Sequence, residues 1–166
     1  MAAYAVFDID GVLADVRHRL HALASRPKQW DLFFGLAPQD DVLVEGLELT
    51  RTAHSEGLTV VYSTGRPERC RHDTVTWLER HDFPTAPLRM RPDRDRRPAR
   101  LTKLAVARQL HRDAGVHYLV DDDPAVVQTL RHDGFTVIHA TWMQESPSEP
   151  EPTQQTLFDA QEQGRA

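Results

Sequence analysis

A chain of 166 residues, 40% hydrophobic and 27% charged, is sized for one domain around a single core, and its lone cysteine, Cys70, excludes an internal disulfide. No apolar run approaches the roughly 20 residues that cross a bilayer, and the chain enters a strand almost at once with no secretory leader, so a soluble cytoplasmic protein is expected. The net charge of −5 is uneven: residues from Glu145 onward carry −4 of it, the body is near neutral, and six arginines fall between Arg89 and Arg100, a balance that does not exclude a nucleic-acid partner.

In chain order, residues 4–7 (Tyr4-Ala-Val-Phe7) read as a strand buried on both faces. Val16, Leu20 and Leu23 fall near helical spacing, and the aromatic stretch 30–36 reads as a helical turn that covers something. Residues 42–55 read as a helix ended by Gly57, and 58–62 as a second strand. A helix is expected over 67–81 with Pro67 in its first turn. Residues 88–90 suggest a short strand, 101–114 a helix ended by Gly115, and 116–120 a strand. Residues 124–132 suggest a helix ended by Gly134, and 135–139 a last strand. Strands alternating with helices of this length predict an α/β fold, with a parallel sheet covered on both sides. The expected domain covers residues 1–144. Residues 145–166 form an acidic, proline-rich tail that is expected to be an extended, disordered linker.

Ligands in such sheets bind at the carboxyl ends of the strands, and the chemically suggestive residues fall there. Asp8-Ile9-Asp10-Gly11-Val12 follows the first strand, Ser63-Thr64-Gly65-Arg66 the second, and Asp121-Asp122-Asp123 the fourth. Two carboxylates two residues apart start on one face of a strand and repel unless a cation or proton lies between them. Asp8, Asp10 and Asp121 converging on one Mg²⁺ suits phosphoryl transfer, because the ion offsets phosphate charge against an anionic nucleophile. Thr64 offers a hydroxyl, the amides of the following turn at Gly65 can donate to phosphoryl oxygens, and Arg66 can hold phosphate bidentately. Lys103, early in its helix, can hold nucleophile and phosphate as a point charge. Asp123 reads as the cap of the helix at Pro124. The histidines lack zinc-ligand spacing, and Cys70 reads as structural.

These four segments, in this order, resemble the motifs of the haloacid dehalogenase (HAD) superfamily across residues 4 to about 140. The resemblance implies a three-layer Rossmann-like fold with a central five-stranded parallel sheet and a minimal cap. It implies that Asp8 is the nucleophile that forms an aspartyl-phosphate, and that Asp10 is the general acid and then the base. It also implies that Mg²⁺ is held by Asp8, the Asp10 carbonyl and Asp121. Asp122 is open between binding the metal through water and orienting Lys103. Asp10 must carry a proton for the leaving group, and nearby carboxylates are expected to raise its pKa. The layout around Thr64-Gly65-Arg66, the arginine-rich segment and Val120 to Arg131 is similar to the 3′-phosphatase domain of polynucleotide kinase/phosphatases. A kinase-type Gly-x-x-x-x-Gly-Lys-Ser/Thr loop is not found in the sequence.

With fewer than 50 residues between Gly11 and the second strand, the cap is expected to be a small lid at residues 15–38, which leaves room for a polymer end. Arg89, Arg91, Arg94, Arg96, Arg97 and Arg100 then read either as backbone contacts or as a solvated loop paired with Asp93 and Asp95. Trp30, Phe33 and Phe34 read as lid or core rather than as a base-stacking platform. The substrate is a nucleic-acid 3′-phosphate end or a small phosphate ester. A reading of another class is an interaction module, because Gln154-Gln-Thr-Leu-Phe158 is similar to the peptide with which bacterial repair proteins dock on the sliding clamp.

Overall fold

The computed structural model describes residues 2–145; the remaining tail, with the Gln154–Phe158 peptide, lies outside them. The elements up to the second long strand are β1 (Tyr4–Phe7), β2 (Ala14–Asp15), α1 (His21–Ala24), α2 (Trp30–Gly35), β3 (Asp41–Val42), α3 (Val44–Ser55) and β4 (Thr59–Pro67). They continue as α4 (Arg71–Arg80), β5 (Leu88–Arg91), α5 (Ala99–Ala114), β6 (Val116–Asp121), α6 (Pro124–His132), β7 (Val137–His139) and α7 (Trp142–Glu145). Five strands pair in parallel in the order β5-β4-β1-β6-β7, while β2 and β3 form a small antiparallel pair.

Alternation of side chains along the strands builds three layers. Ala5, Phe7, Val60 and Tyr62 point to one face, where they pack with Ala53 of α3 and Trp77 and Leu78 of α4. Val6, Val61 and Leu119 point to the other, against Ala107 and Leu110 of α5 and Val126, Val127 and Leu130 of α6. Each large apolar side chain so buried contributes about 1.5–3 kcal/mol. The chain moves outward from β1 through β4 to β5, then crosses back to β6 and β7. The change of direction opens a crevice at the carboxyl ends of β1 and β6.

Two expected elements differ. The helix expected from Pro67 begins instead at Arg71, after a short 3₁₀ turn at Glu68–Cys70. Pro67 is extended (φ −70°, ψ 153°), and β4 runs on to pair Pro67 with Arg91 beyond an irregularity after Ser63. The edge strand β5 offers partners there, and their pairing outweighs the helical preference of a proline-led segment. The helix start is therefore displaced from Thr64 and Gly65. Residues 16–24 split into a 3₁₀ turn at Arg17–Arg19 followed by α1. This insert is a second small core, in which Val16, Leu20, Leu23, Phe33 and Phe34 pack with Leu43 and Met143. Trp30 stacks on Phe34 with ring centroids 5.9 Å apart, so these aromatic residues are core. No helix among the described residues is long and apolar enough to cross a membrane.

Candidate active site

The Asp8 amide donates to the Val120 carbonyl (3.0 Å), and the chain then turns, with the Ile9 carbonyl accepting from the amides of Leu13 and Ala14 at 2.8 and 3.0 Å. Gly11 makes the turn with φ +78°, and a Cβ there would fall on the Asp122 carboxylate, so both conformation and space require glycine. The turn separates the two aspartates that the strand had placed on one face.

The Asp8 carboxylate joins a buried cluster. Its Oδ1 accepts from the Ile9 amide (2.8 Å), and its Oδ2 lies 2.9 Å from the Lys103 ammonium. Lys103, from the second turn of α5, also donates to Asp121 Oδ2 (2.7 Å). Asp121 Oδ1 accepts from the Asp123 amide (3.0 Å), and Asp123 caps α6 through the amides of Ala125 and Val126, as expected. Asp8, Asp121 and Asp122 each place one carboxylate oxygen within 4.8 Å of the others. Burial, with the charges of Asp121 and Asp10, pushes the Asp8 carboxyl up to about 7 against the pull of Lys103. Burial and Asp8 push Asp122 up as well. Lys103 is itself held charged, because Asp121 and Asp8 outweigh its burial.

Three buried hard oxygen donors, two of them disfavoured as anions, fit a divalent cation such as Mg²⁺, which would be held by Asp8, Asp121 and Asp122. The Asp10 carboxylate takes no part in the cluster, a correction to the expected convergence of Asp8, Asp10 and Asp121; the resemblance assigns only the Asp10 carbonyl. The raised carboxyls set a pH dependence. A carboxyl whose folded pKa lies above its unfolded value contributes stability that is complete below the unfolded value and is lost as pH rises through the folded one. For Asp8 that window runs from about 4 to about 7. Mg²⁺ should therefore raise the melting temperature over a chelated sample more at pH 8 than at pH 5. Equal gains at both pH values in differential scanning calorimetry would remove the cluster as a metal site.

The Asp10 carboxylate faces a different set of partners. Its Oδ1 accepts from Arg66 Nε (2.9 Å), Arg66 Nη2 (2.6 Å) and Arg19 Nη2 (2.9 Å). Burial pushes the Asp10 carboxyl up, but the two guanidinium groups outweigh it and bring it down to about 2. That reverses the expected direction, because the nearest charges are arginines rather than carboxylates. Asp40 closes the network: it accepts from Arg19 Nε (2.8 Å) and Nη2 (2.7 Å) and from Arg66 Nη2 (3.2 Å), and His18 Nε2 lies 2.7 Å away. The Arg19 guanidinium also sits over the Phe33 ring, 4.2 Å from its centroid.

Arg66, expected to hold phosphate, is instead 2% exposed and engaged by Asp10, Asp40 and Thr74. It positions Asp10. Arg19 and Asp40 were missed in the sequence. The available signal was a charge at position 19, on the same helical face as Val16 and Leu23. The insert read as a lid is thus the segment that supplies half of the Asp10 network.

Thr64, Gly65 and Arg66 lie where the ladder with β5 is interrupted, and Thr64 Oγ1 accepts from the Arg66 amide (3.1 Å). Thr64 and Lys103 line one end of a cavity of about 470 Å³ between β5 and α5. Arg89, Arg91 and Arg97 line it too. The arginine-rich segment therefore divides: Arg97 pairs with Asp95 at 2.6 Å, Arg94 and Arg96 face solvent, and Arg91 is buried.

A sequence model of the family described as "Polynucleotide kinase PNKP phosphatase domain" matches residues 2–142. Among curated proteins none matches. Among solved structures, a chain of the Pnkp1/Rnl/Hen1 RNA repair complex is 21% identical, with a TM-score of 0.66 over 84% of this chain and 42% of that one. A hydrolase from Pseudomonas syringae gives 17% identity and a TM-score of 0.61, over 96% of this chain and 90% of that one. A class C acid phosphatase from Bacillus anthracis with tungstate bound gives 14% identity and a TM-score of 0.60, over 86% and 68%. This chain spans less than half the length of the RNA repair chain. At these identities the structural likenesses establish the fold.

Proposed function

We propose, from the premise that the chain belongs to the polynucleotide kinase PNKP phosphatase domain family and is a HAD-type phosphatase, that it removes 3′-phosphates from nucleic-acid ends through an aspartyl-phosphate. The observation that carries the chemistry is the division of the two aspartates: Asp8 faces Lys103, Asp121 and Asp122, while Asp10 is held by Arg19 and Arg66. Mg²⁺ at Asp8, Asp121 and Asp122 would supply charge neutralisation for the nucleophile and the incoming phosphate.

The residues of the chain account for the rest. Lys103 holds Asp8 in place and pulls it toward its ionised form, and Thr64 and the Gly65 amide face the incoming phosphoryl oxygens. The Asp8 carboxylate attacks phosphorus, the bond to the leaving oxygen breaks, and that oxygen takes a proton from Asp10. In the second half, water attacks the phosphoryl group on Asp8 and gives its proton to Asp10. The bond to Asp8 breaks, and inorganic phosphate leaves. At rest Asp10 is ionised. A phosphate dianion beside it adds negative charge and raises its proton affinity, so that Asp10 takes up from solvent, as substrate binds, the proton that it gives in the first step. Both arginines bind Oδ1, which leaves Oδ2 for the leaving group.

The polynucleotide end is favoured over a small ester by the insert. Arg19, Asp40 and an aromatic core tie it to the body, and an arginine-lined cavity continues from Thr64 and Lys103. The test is a panel of 3′-phosphorylated DNA and RNA oligonucleotides, 3′-mononucleotides and generic esters such as glycerol phosphate. The oligonucleotides are expected to exceed the generic esters in kcat/KM by roughly a hundredfold or more, the worth of about 3 kcal/mol of added contacts. Equal rates on generic esters would replace this reading with that of a small-ester phosphatase.

A further inference from the structure

The cavity beside Thr64 and Lys103 holds more cationic groups than the reaction needs, and most of them have partners. Lys103 is engaged by Asp8 and Asp121. Arg71 forms two bonds of 2.8 Å to Glu68, and Arg97 pairs with Asp95. Arg91 is different. It is 4% exposed, and its Nη1 donates to the carbonyls of Arg97 (2.7 Å) and Asp95 (3.3 Å). Its Nε and Nη2 are buried with no hydrogen-bond partner among the described residues. These two N–H groups lie along one side of the guanidinium, the edge that matches two phosphate oxygens at once. A buried donor left unmatched is costly, and proteins seldom keep one that no ligand uses. The side chain of Arg89, half-buried on the same wall, has no hydrogen bond or ion pair among the described residues. The loop that wraps Arg91 is fastened at its rim by the Asp95–Arg97 pair, whose side chains are 11% and 59% exposed, and an anion that displaces Asp95 from Arg97 would uncover the buried Nε/Nη2 edge.

We propose that this cavity is a second-phosphate subsite, in which the Nε/Nη2 edge of Arg91, with Arg89, receives the phosphate on the 5′-oxygen of the nucleotide whose 3′-phosphate is removed. The assignment rests on the 3′-phosphatase reading. It states that recognition extends one phosphate beyond the reacting one, and that the nucleoside between them lies along β5.

The test compares kcat/KM for thymidine 3′,5′-bisphosphate and thymidine 3′-phosphate, with products identified chromatographically and p-nitrophenyl phosphate as a control. The parent protein should prefer the bisphosphate by at least about tenfold, mostly through KM, and added salt should reduce that preference. The preference should fall toward one in Arg91→Met and in Arg89→Ala. The Arg89 side chain holds no hydrogen bond or ion pair among the described residues, and its backbone pairing with Ser63 survives the change, so Arg89→Ala keeps the test open if Arg91→Met fails to fold. A parent ratio near one, or a ratio unchanged in Arg89→Ala and in any folded Arg91→Met, overturns the subsite and leaves the 3′-phosphatase reading standing. Hydrolysis of p-nitrophenyl phosphate with neither thymidine phosphate accepted overturns both.

Discussion

Replacing Asp8 with asparagine is expected to lower kcat by roughly a thousandfold or more and to leave the protein at least as stable as the parent when metal is chelated. The first half follows from chemistry. An amide oxygen in place of the carboxylate cannot form the aspartyl-phosphate, and the neighbouring carboxylate of Asp121 is tied to Lys103 at 2.7 Å and belongs to the cluster that would hold the metal. The second half follows from electrostatics. Asp8 is buried beside Asp121 and Asp122, and its ionised form is disfavoured enough to push its carboxyl up to about 7. Asparagine removes that repulsion, retains an oxygen for the Ile9 amide (2.8 Å in the parent), and leaves Lys103 its bond to Asp121. Calorimetry in chelator should show an unchanged or higher melting temperature for Asp8→Asn, and the gain from added Mg²⁺ should shrink. A variant that loses activity only because it unfolds would contradict this account, and full activity would end the covalent route.

The sheet and the buried carboxylate cluster at its edge were legible in the sequence because they depend on local signals. The apolar runs at 4–7, 58–62 and 116–120 are each followed by polar residues, and each became a neighbouring strand, with Asp8 just past β1, Asp121 ending β6 and Thr64 in β4 where its pairing with β5 is interrupted. Gly57, Gly115 and Gly134 marked helix ends and do sit at positive φ. Two things were not legible. Pro67 was read by its own preference, whereas its conformation is set by Arg91 on an edge strand distant in sequence. The Asp10 environment was read from the carboxylates nearest in sequence, whereas its partners, Arg19 and Arg66, come from two other segments, and Asp40 orders both. Period and spacing reveal which face of an element is buried. They do not reveal which buried charge finds which partner, and that pairing decides whether Asp10 titrates high or low.

Replacing Asp40 with alanine is expected to cost about 3–5 kcal/mol of stability and to slow turnover most for the substrates that need an acid. Asp40 is fully buried, bonded to both Arg19 and Arg66, with His18 at 2.7 Å. Without it, two buried guanidinium groups share the single charge of Asp10, and the uncompensated charge is what makes the removal costly. The Trp77 Nε1 bond to the backbone carbonyl of residue 40 (2.9 Å) survives the change, so the loss is confined to the side chain. Urea unfolding measures it. The functional effect follows from geometry, since a displacement of about 1 Å in a positioned catalytic group costs on the order of a hundredfold in rate. As the acid, Asp10 matters only where the leaving oxygen must be protonated; as the base of the second half it serves both substrates alike. A 3′-phosphate on a deoxyribose leaves as a poor alkoxide, whereas p-nitrophenolate leaves without help. Asp40→Ala should therefore lower kcat on a 3′-phosphorylated oligonucleotide far more than on p-nitrophenyl phosphate, measured on protein kept well below its unfolding midpoint. Equal losses on the two substrates would mean that Asp40 acts on the fold alone, and that the arginine pair does not position the proton donor.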